Sequence, residues 1–219
     1  IVLFSAHWEE PIATITAAVH PELIHDYYGF PPEAYDIAYP CPGEPAVAQQ
    51  IAGLLQAAQI ESRLDQQRGL DHGVFVPLKI MYPEADIPVV QVSLSSSLDP
   101  LEHVRLGQAL HGLHHQNILV MGSGGSFHNL KAFMSQDNET ISRNHAFEQW
   151  LETTCCGAMT EEERIRKLIQ WEQAPGARFC HPREEHLLPL HVCYGVAGAP
   201  CSKRFEISLL GKTSSMVVW

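Results

Sequence analysis

The chain has 219 residues, 45% hydrophobic and 18% charged, which suits one large domain with a substantial core. Its formal net charge of −11 argues against non-specific nucleic-acid binding and against an anionic membrane surface. No apolar run reaches the roughly 18 residues that a transmembrane helix needs, and no basic lead-in or small-residue cleavage site marks a signal peptide. The six cysteines form no C-x-x-C pair; they are read as free thiols in a reducing, cytoplasmic compartment. Thirteen histidines are nearly as many as the 14 lysines and arginines together, and histidine is the commonest metal ligand and acid/base near neutral pH.

In chain order, Ile1 to Phe4 are four large apolar residues and predict a strand buried on both faces. The run ends on Ser5 and Ala6, delivers His7 and Trp8, and closes at Glu9-Glu10-Pro11. A buried first strand with no lead-in carries the expectation that sequence upstream is missing. Ala13 to Val19 reads as a second strand. The segment from His20 to Gly43 is too rich in proline and glycine for regular structure and too aromatic for disorder, so it is expected to form a pocket wall. Pro45 opens a helix to about Gln59, with Val47, Ile51, Leu54 and Leu55 on one stripe. Glu61 to Leu64 suggests a short strand, and Gly69 to Gly73 a turn holding His72. Val74 to Tyr82 starts as a helix, and Ile87 to Leu94 reads as a central strand with its proline at the entry.

Asp99-Pro100-Leu101-Glu102 is a helix start, and the predicted helix runs on through His111, His114 and His115. Those three have i, i+3, i+4 spacing, yet no carboxylate or cysteine completes a metal set, so they are read as a solvated face. Asn117 to Met121 predicts a strand that enters Gly122-Ser123-Gly124-Gly125 and presents His128. The glycines lack the Gly-Lys-Ser/Thr ending of a phosphate loop, so close backbone approach to a ligand is the better reading. Helices are predicted over Asn138–Thr153, from the capping box at Thr160, and from His181-Pro182, the last carrying Glu185 and His186 near its start. Phe205 to Leu210 and Met216 to Trp219 suggest a closing hairpin.

Strands alternating with helices give an α/β fold: a single domain over residues 1–219 with a central, mostly parallel sheet flanked by helices. His7, His72, His128 and His186 each sit at a strand end, a glycine turn or a helix start. Singly, each reads as a structural histidine. Together they suit a mononuclear non-haem site with open positions for substrate.

Ser5-Ala6-His7-Trp8, Ile24-His25-Asp26 with Gly29-Phe30-Pro31, Tyr39-Pro40 with Pro42-Gly43, Asp71-His72-Gly73, Lys79 to Pro83 with Asp86-Ile87-Pro88, His128-Asn129-Leu130 and Glu185-His186 with Leu188-Pro189-Leu190 occur in that order. Over the whole chain this resembles the DOPA dioxygenase branch of the LigB-type class III extradiol ring-cleavage dioxygenases. The resemblance implies Fe(II) or Zn(II) held by His7 and His186, with His128 beside the metal as acid/base or further ligand. It implies His72 as a second catalytic group over the substrate, and a pocket lined by His25, Tyr28 and Phe30. The implied partners are a small aromatic diol (a DOPA-like catechol) and O2, and the implied product is a semialdehyde-acid. The family's first ligand lies in a His-Gly-x-Pro turn upstream of Ser-Ala-His-Trp and is absent from these 219 residues, so an N-terminally incomplete stretch is expected. The other readings are a non-catalytic metal-binding or interaction protein on the same fold, as in the Memo-type relatives, and a zinc hydrolase using Glu185 or Glu9 as base.

Overall fold

The computed structural model describes residues 1–219, the side chain of His114 excepted. In chain order the elements are β1 (Val2–Glu10), β2 (Ala13–Thr16), β3 (Leu23–Ile24), α1 (Pro45–Ala57), β4 (Ser62–Asp65), β5 (Leu70–Asp71), α2 (His72–Met81), β6 (Val90–Ser95), α3 (Pro100–Ala109), β7 (Val120–Ser123), α4 (Asn138–Cys156), α5 (Glu161–Ile169), α6 (Ala177–Cys180), α7 (Leu188–Ala197), β8 (Lys203–Leu209) and β9 (Lys212–Val218). The main sheet has the order β4-β2-β6-β1-β7. β1 is parallel to both β6 and β7, and β2 is parallel to β4; β2 meets β6 antiparallel at Ile15 and Val92. This is the predicted α/β arrangement, with β1 and β6 in the interior of the sheet.

Strand alternation divides the core. Val2 and Phe4 join Ile15, Val90 and Val92 under α1, α3 and α7. Leu3 faces the other way, onto Val74, Phe75 and Leu78 of α2. Ser5 and His7 share that parity, and this sends His7 toward the start of α2. Helix starts follow the expected capping chemistry. The Asp99 carboxylate accepts from the amides of Leu101 and Glu102 at 2.7 and 3.3 Å, and Thr160 Oγ1 accepts from Glu163 at 3.2 Å.

Several expectations are corrected. β1 does not stop at Trp8; it runs to Glu10, because its pairing with β6 slips between Phe4 and Glu9 and then resumes. α3 ends at Ala109, and residues His111–Gln116 form a separate 3-10 turn closed by Asn117 in the left-handed region (φ 56°). The three histidines there therefore do not share an α-helical face; the side chain of His114 lies outside the described residues. The same turn delays β7 to Val120. Glu185 and His186 lie in the turn before α7, whose first residue is Leu188, so that Pro189 falls in the first turn and forces no kink. The six cysteines are not all free: Cys156 and Cys201 are bridged, with Cα atoms 4.8 Å apart. That reading rested on compartment and chain length, which say nothing about which thiols the fold brings together. No helix among the described residues is long and apolar enough to cross a membrane.

Candidate active site

Four imidazoles form a row. His72 lies 4.0 Å from His7 between ring centroids, His7 lies 5.0 Å from His186, and His186 stacks on His128 at 3.3 Å. Each comes from a different part of the chain: His7 from the far half of β1, His72 from the first turn of α2, His128 from the segment after β7, and His186 from the turn before α7.

Local chemistry holds each one in place. Asp71 is fully buried and caps α2, accepting from Gly73 N at 3.0 Å. It also accepts from Ser5 Oγ at 2.7 Å and Gln91 Nε2 at 2.5 Å, which ties the start of α2 to β1 and β6. His7 N donates to the same Ser5 Oγ at 3.1 Å. A Cβ on Gly73 would sit 2.2 Å from Ser5 Oγ and 3.0 Å from His7 Cδ2, so only glycine lets α2 come this close. On the other side, His128 N donates to Cys180 O at 2.9 Å, and Gly125 N donates to His186 Nδ1 at 3.2 Å. A Cβ on Gly124 would lie 2.2 Å from His186 O, which is the close backbone approach expected of that glycine run.

The outer two imidazoles each face a carboxylate at Nδ1. Asp26 Oδ1 is 2.8 Å from His72 Nδ1, and Glu185 Oε1 is 3.3 Å from His128 Nδ1. The inner two, His7 and His186, are held toward the neutral form. Burial lowers the pKa of His7, with His72 adding to the effect. Burial, then the neighbouring His128 and His7, takes His186 down to about 3. Burial works to raise the pKa of Glu185, but it is outweighed by the bond to His128 and its own backbone amide, with His186 and Arg183 acting in the same direction, leaving it at about 2. Arg183 itself forms a two-pronged pair with Glu9 at 2.5 and 2.6 Å.

Among the described residues, two groups each have their donor atoms within 4.8 Å of one another: His7, Asp26 and His72, and His128, Glu185 and His186. The expected ligands His7, His128 and His186 are thus in one row but divided between two adjacent sets. Neutral imidazoles beside carboxylates are the donors that suit iron or zinc, so these residues fit a divalent ion of that kind.

The predicted pocket residues fare differently. Tyr28 and Phe30 are 91% and 61% exposed. His25 has its Nε2 3.1 Å from Ile37 O and its ring against Phe75 at 5.2 Å. The aromatic residue that does reach the row is Tyr27, edge-on to His72 at 5.4 Å. Tyr27, Asp26 and Asp71 carry no signal in the sequence, because their placement depends on β3 pairing with β5, Leu23 with Leu70 and Ile24 with Asp71. Strands of two residues leave no periodic signal in the sequence.

The sequence model described as the catalytic LigB subunit of aromatic ring-opening dioxygenase matches residues 1–218. The chain belongs to the LigB family. Among curated LigB-like relatives, Dioxygenase tasH of Hapsidospora irregularis is 43% identical over 206 residues, which is 90% of this chain and 64% of that protein. The 4,5-DOPA dioxygenase extradiol of Beta vulgaris is 40% identical over 199 residues, 90% of this chain and 73% of that protein. The crystal structure of an uncharacterized protein from Escherichia coli K12 covers 100% of this chain, with 85% of its own length matched, at a TM-score of 0.80 and 30% identity. The LigB fold is therefore shared over the full 219 residues, while the chain spans just under two thirds of the length of tasH.

Proposed function

We propose that this LigB-family chain is a metal-dependent extradiol dioxygenase that opens the ring of a DOPA-like catechol with O2. The observation that carries this reading is the row of four imidazoles, with its two neutral inner members and its two carboxylate-faced outer members. His7 and His186 would hold Fe(II) or Zn(II), with His128 beside the ion as third ligand or as acid/base. Such an ion supplies Lewis acidity for the two catechol oxygens and, as iron, a position for O2. The chain's own task is then to handle protons. A catechol must lose protons as it binds, and a later step must return one. His72, on the Asp26 side, is placed to accept a phenolic proton. His128 Nδ1, held against Glu185, is placed to keep and return one.

The test is oxygen uptake by the anaerobically Fe(II)-loaded protein on adding DOPA or catechol, followed together with the appearance of a yellow product. Uptake with colour is expected, abolished in His7→Ala and reduced at least about 100-fold in His128→Ala if that residue serves as acid or base. Uptake that requires extension of the chain by a relative's His-Gly-x-Pro segment would assign the third ligand to that segment and leave His128 as acid/base alone. A protein that binds the ion but oxidises no catechol in either form would be a metal-binding module instead.

A further inference from the structure

Asp26 stands outside the set of residues expected to carry the chemistry, yet its geometry toward His72 is specific. A single oxygen, Oδ1, lies 3.0 Å from the backbone N–H of His72 and 2.8 Å from its ring Nδ1. The backbone N–H can only donate and an ionised carboxylate can only accept, so a hydrogen bond between Oδ1 and the ring requires the proton to be on Nδ1. Asp26 is held for this by the parallel pairing of Ile24 with Asp71 and by the tight turn in which Asp26 N donates to Ile24 O at 3.0 Å. The His72 ring is bounded on one side by His7 at 4.0 Å and edge-on by Tyr27 at 5.4 Å, so it has little freedom to turn over.

We infer that Asp26 is a positioning residue that locks His72 in the Nδ1–H tautomer and so leaves Nε2 as its basic nitrogen. A neutral histidine in water favours the opposite tautomer only modestly, so one well-placed carboxylate is enough to decide between them. The inference rests on the dioxygenase reading only for its catalytic consequence; the tautomer itself is a property of the protein. Asp26 also serves the start of α2 through the backbone bond, so loss of activity alone would not separate orientation from folding.

The experiment is 15N NMR of the whole protein labelled at its histidine rings, with the His72 signals identified by their absence in His72→Gln. In the wild type at pH 8, the protonated ring nitrogen of His72 is expected to be Nδ1, with Nε2 in the position of an unprotonated nitrogen. In Asp26→Ala the pattern should shift toward Nε2–H, and kcat on a catechol should fall roughly 10-fold with KM little changed. Asp26→Asn, which keeps an oxygen for the backbone N–H, separates helix capping from tautomer control: it should keep the fold and show a mixed pattern. A wild-type His72 already in the Nε2–H form overturns the inference, as does an Nδ1–H pattern that persists in a folded Asp26→Ala. Wild-type protein with the expected tautomer but no catechol oxidation, with or without the upstream His-Gly-x-Pro segment, would leave Asp26 in its role and overturn the dioxygenase reading instead.

Discussion

At the scale of single residues, the site is assembled by small side chains as much as by histidines. Gly73 is the clearest case. Its missing Cβ is what allows Ser5 Oγ to reach Asp71 at 2.7 Å while the His7 ring lies 4.0 Å from that of His72. A Cβ at 2.2 Å from Ser5 Oγ forces either a rotamer change at Ser5 or a shift of α2. Gly73→Ala is therefore expected to lower stability by about 1–3 kcal/mol, as overpacking does in close-packed sites. A urea unfolding midpoint checks this. Because Ser5 Oγ also accepts from His7 N, the same variant should weaken metal retention, measured as iron bound per chain after gel filtration. An unchanged midpoint would mean that Ser5 gives way freely and that Asp71 is held well enough by Gly73 N, Gln91 and Arg68. The His191 ring makes a useful contrast within the same fold. It is fully buried, with its nitrogens 3.2 Å from Leu187 O and 2.9 Å from Leu168 O, and it is a core residue rather than a site residue.

At the scale of elements, the C-terminal hairpin depends on attachment. A two-stranded ribbon is marginal by itself, and most of β8 is exposed. β9 is held by Asn144, whose Nδ2 donates to Thr213 O at 2.9 Å and whose Oδ1 accepts from Thr213 N at 2.8 Å. Ser215 N donates to Ser126 Oγ at 2.8 Å, which links the hairpin to the segment that carries His128. Ser126 Oγ in turn donates to the buried Glu148 at 2.6 Å, and Ser215 Oγ donates to the same carboxylate. The Cys156–Cys201 bridge closes this arrangement at the end of α4, across 45 residues of sequence. Replacing both cysteines with alanine should cost about 2–4 kcal/mol. Hydrogen exchange should show the loss of protection concentrated in β8 and β9. Wild-type protein treated with a dithiol reductant should show the same change; no difference between oxidised and reduced protein would mean that the bridge contributes nothing to holding the hairpin.

At the scale of the whole molecule, the buried histidines set the response to acid. His103, His181 and His191 are all fully buried. Burial lowers the pKa of His103 and takes His181 and His191 down to about 4, against their bonds to backbone carbonyls, which act in the opposite sense. In the unfolded chain the same imidazoles take up protons near 6.5. Between those values the unfolded state binds more protons, so stability rises with pH there. The contribution is fully present above about pH 6.5 and is lost as pH falls toward 4. Urea midpoints should therefore be level above about pH 7 and decline steadily from pH 6.5 to 4.5. A flat profile over that range would mean that these rings charge without penalty and that the interior opens to water around them. With 25 acidic and 14 basic residues, the molecule also approaches neutrality as the pH falls, so aggregation must be monitored in the same titration.

Periodicity and capping chemistry alone determined much of this protein. The run Ile1–Phe4, the strand run from Ile87 to Leu94 and the Asp99 and Thr160 starts are local signals, and each fixes its element through side chains within a few residues. The same local reading marked the four histidines, because glycine turns and helix starts are visible in one dimension. The tertiary structure decided what those histidines face. Asp26 reaches His72 only through a pairing of two-residue strands, and Tyr27 rather than Tyr28 turns inward for the same reason. Cys156 meets Cys201 only because the hairpin packs back on the end of α4. These are contacts between segments far apart in sequence, made by elements too short or too irregular to carry a period. Their partners are set by how the sheet brings chain ends together, and no spacing along the chain encodes that.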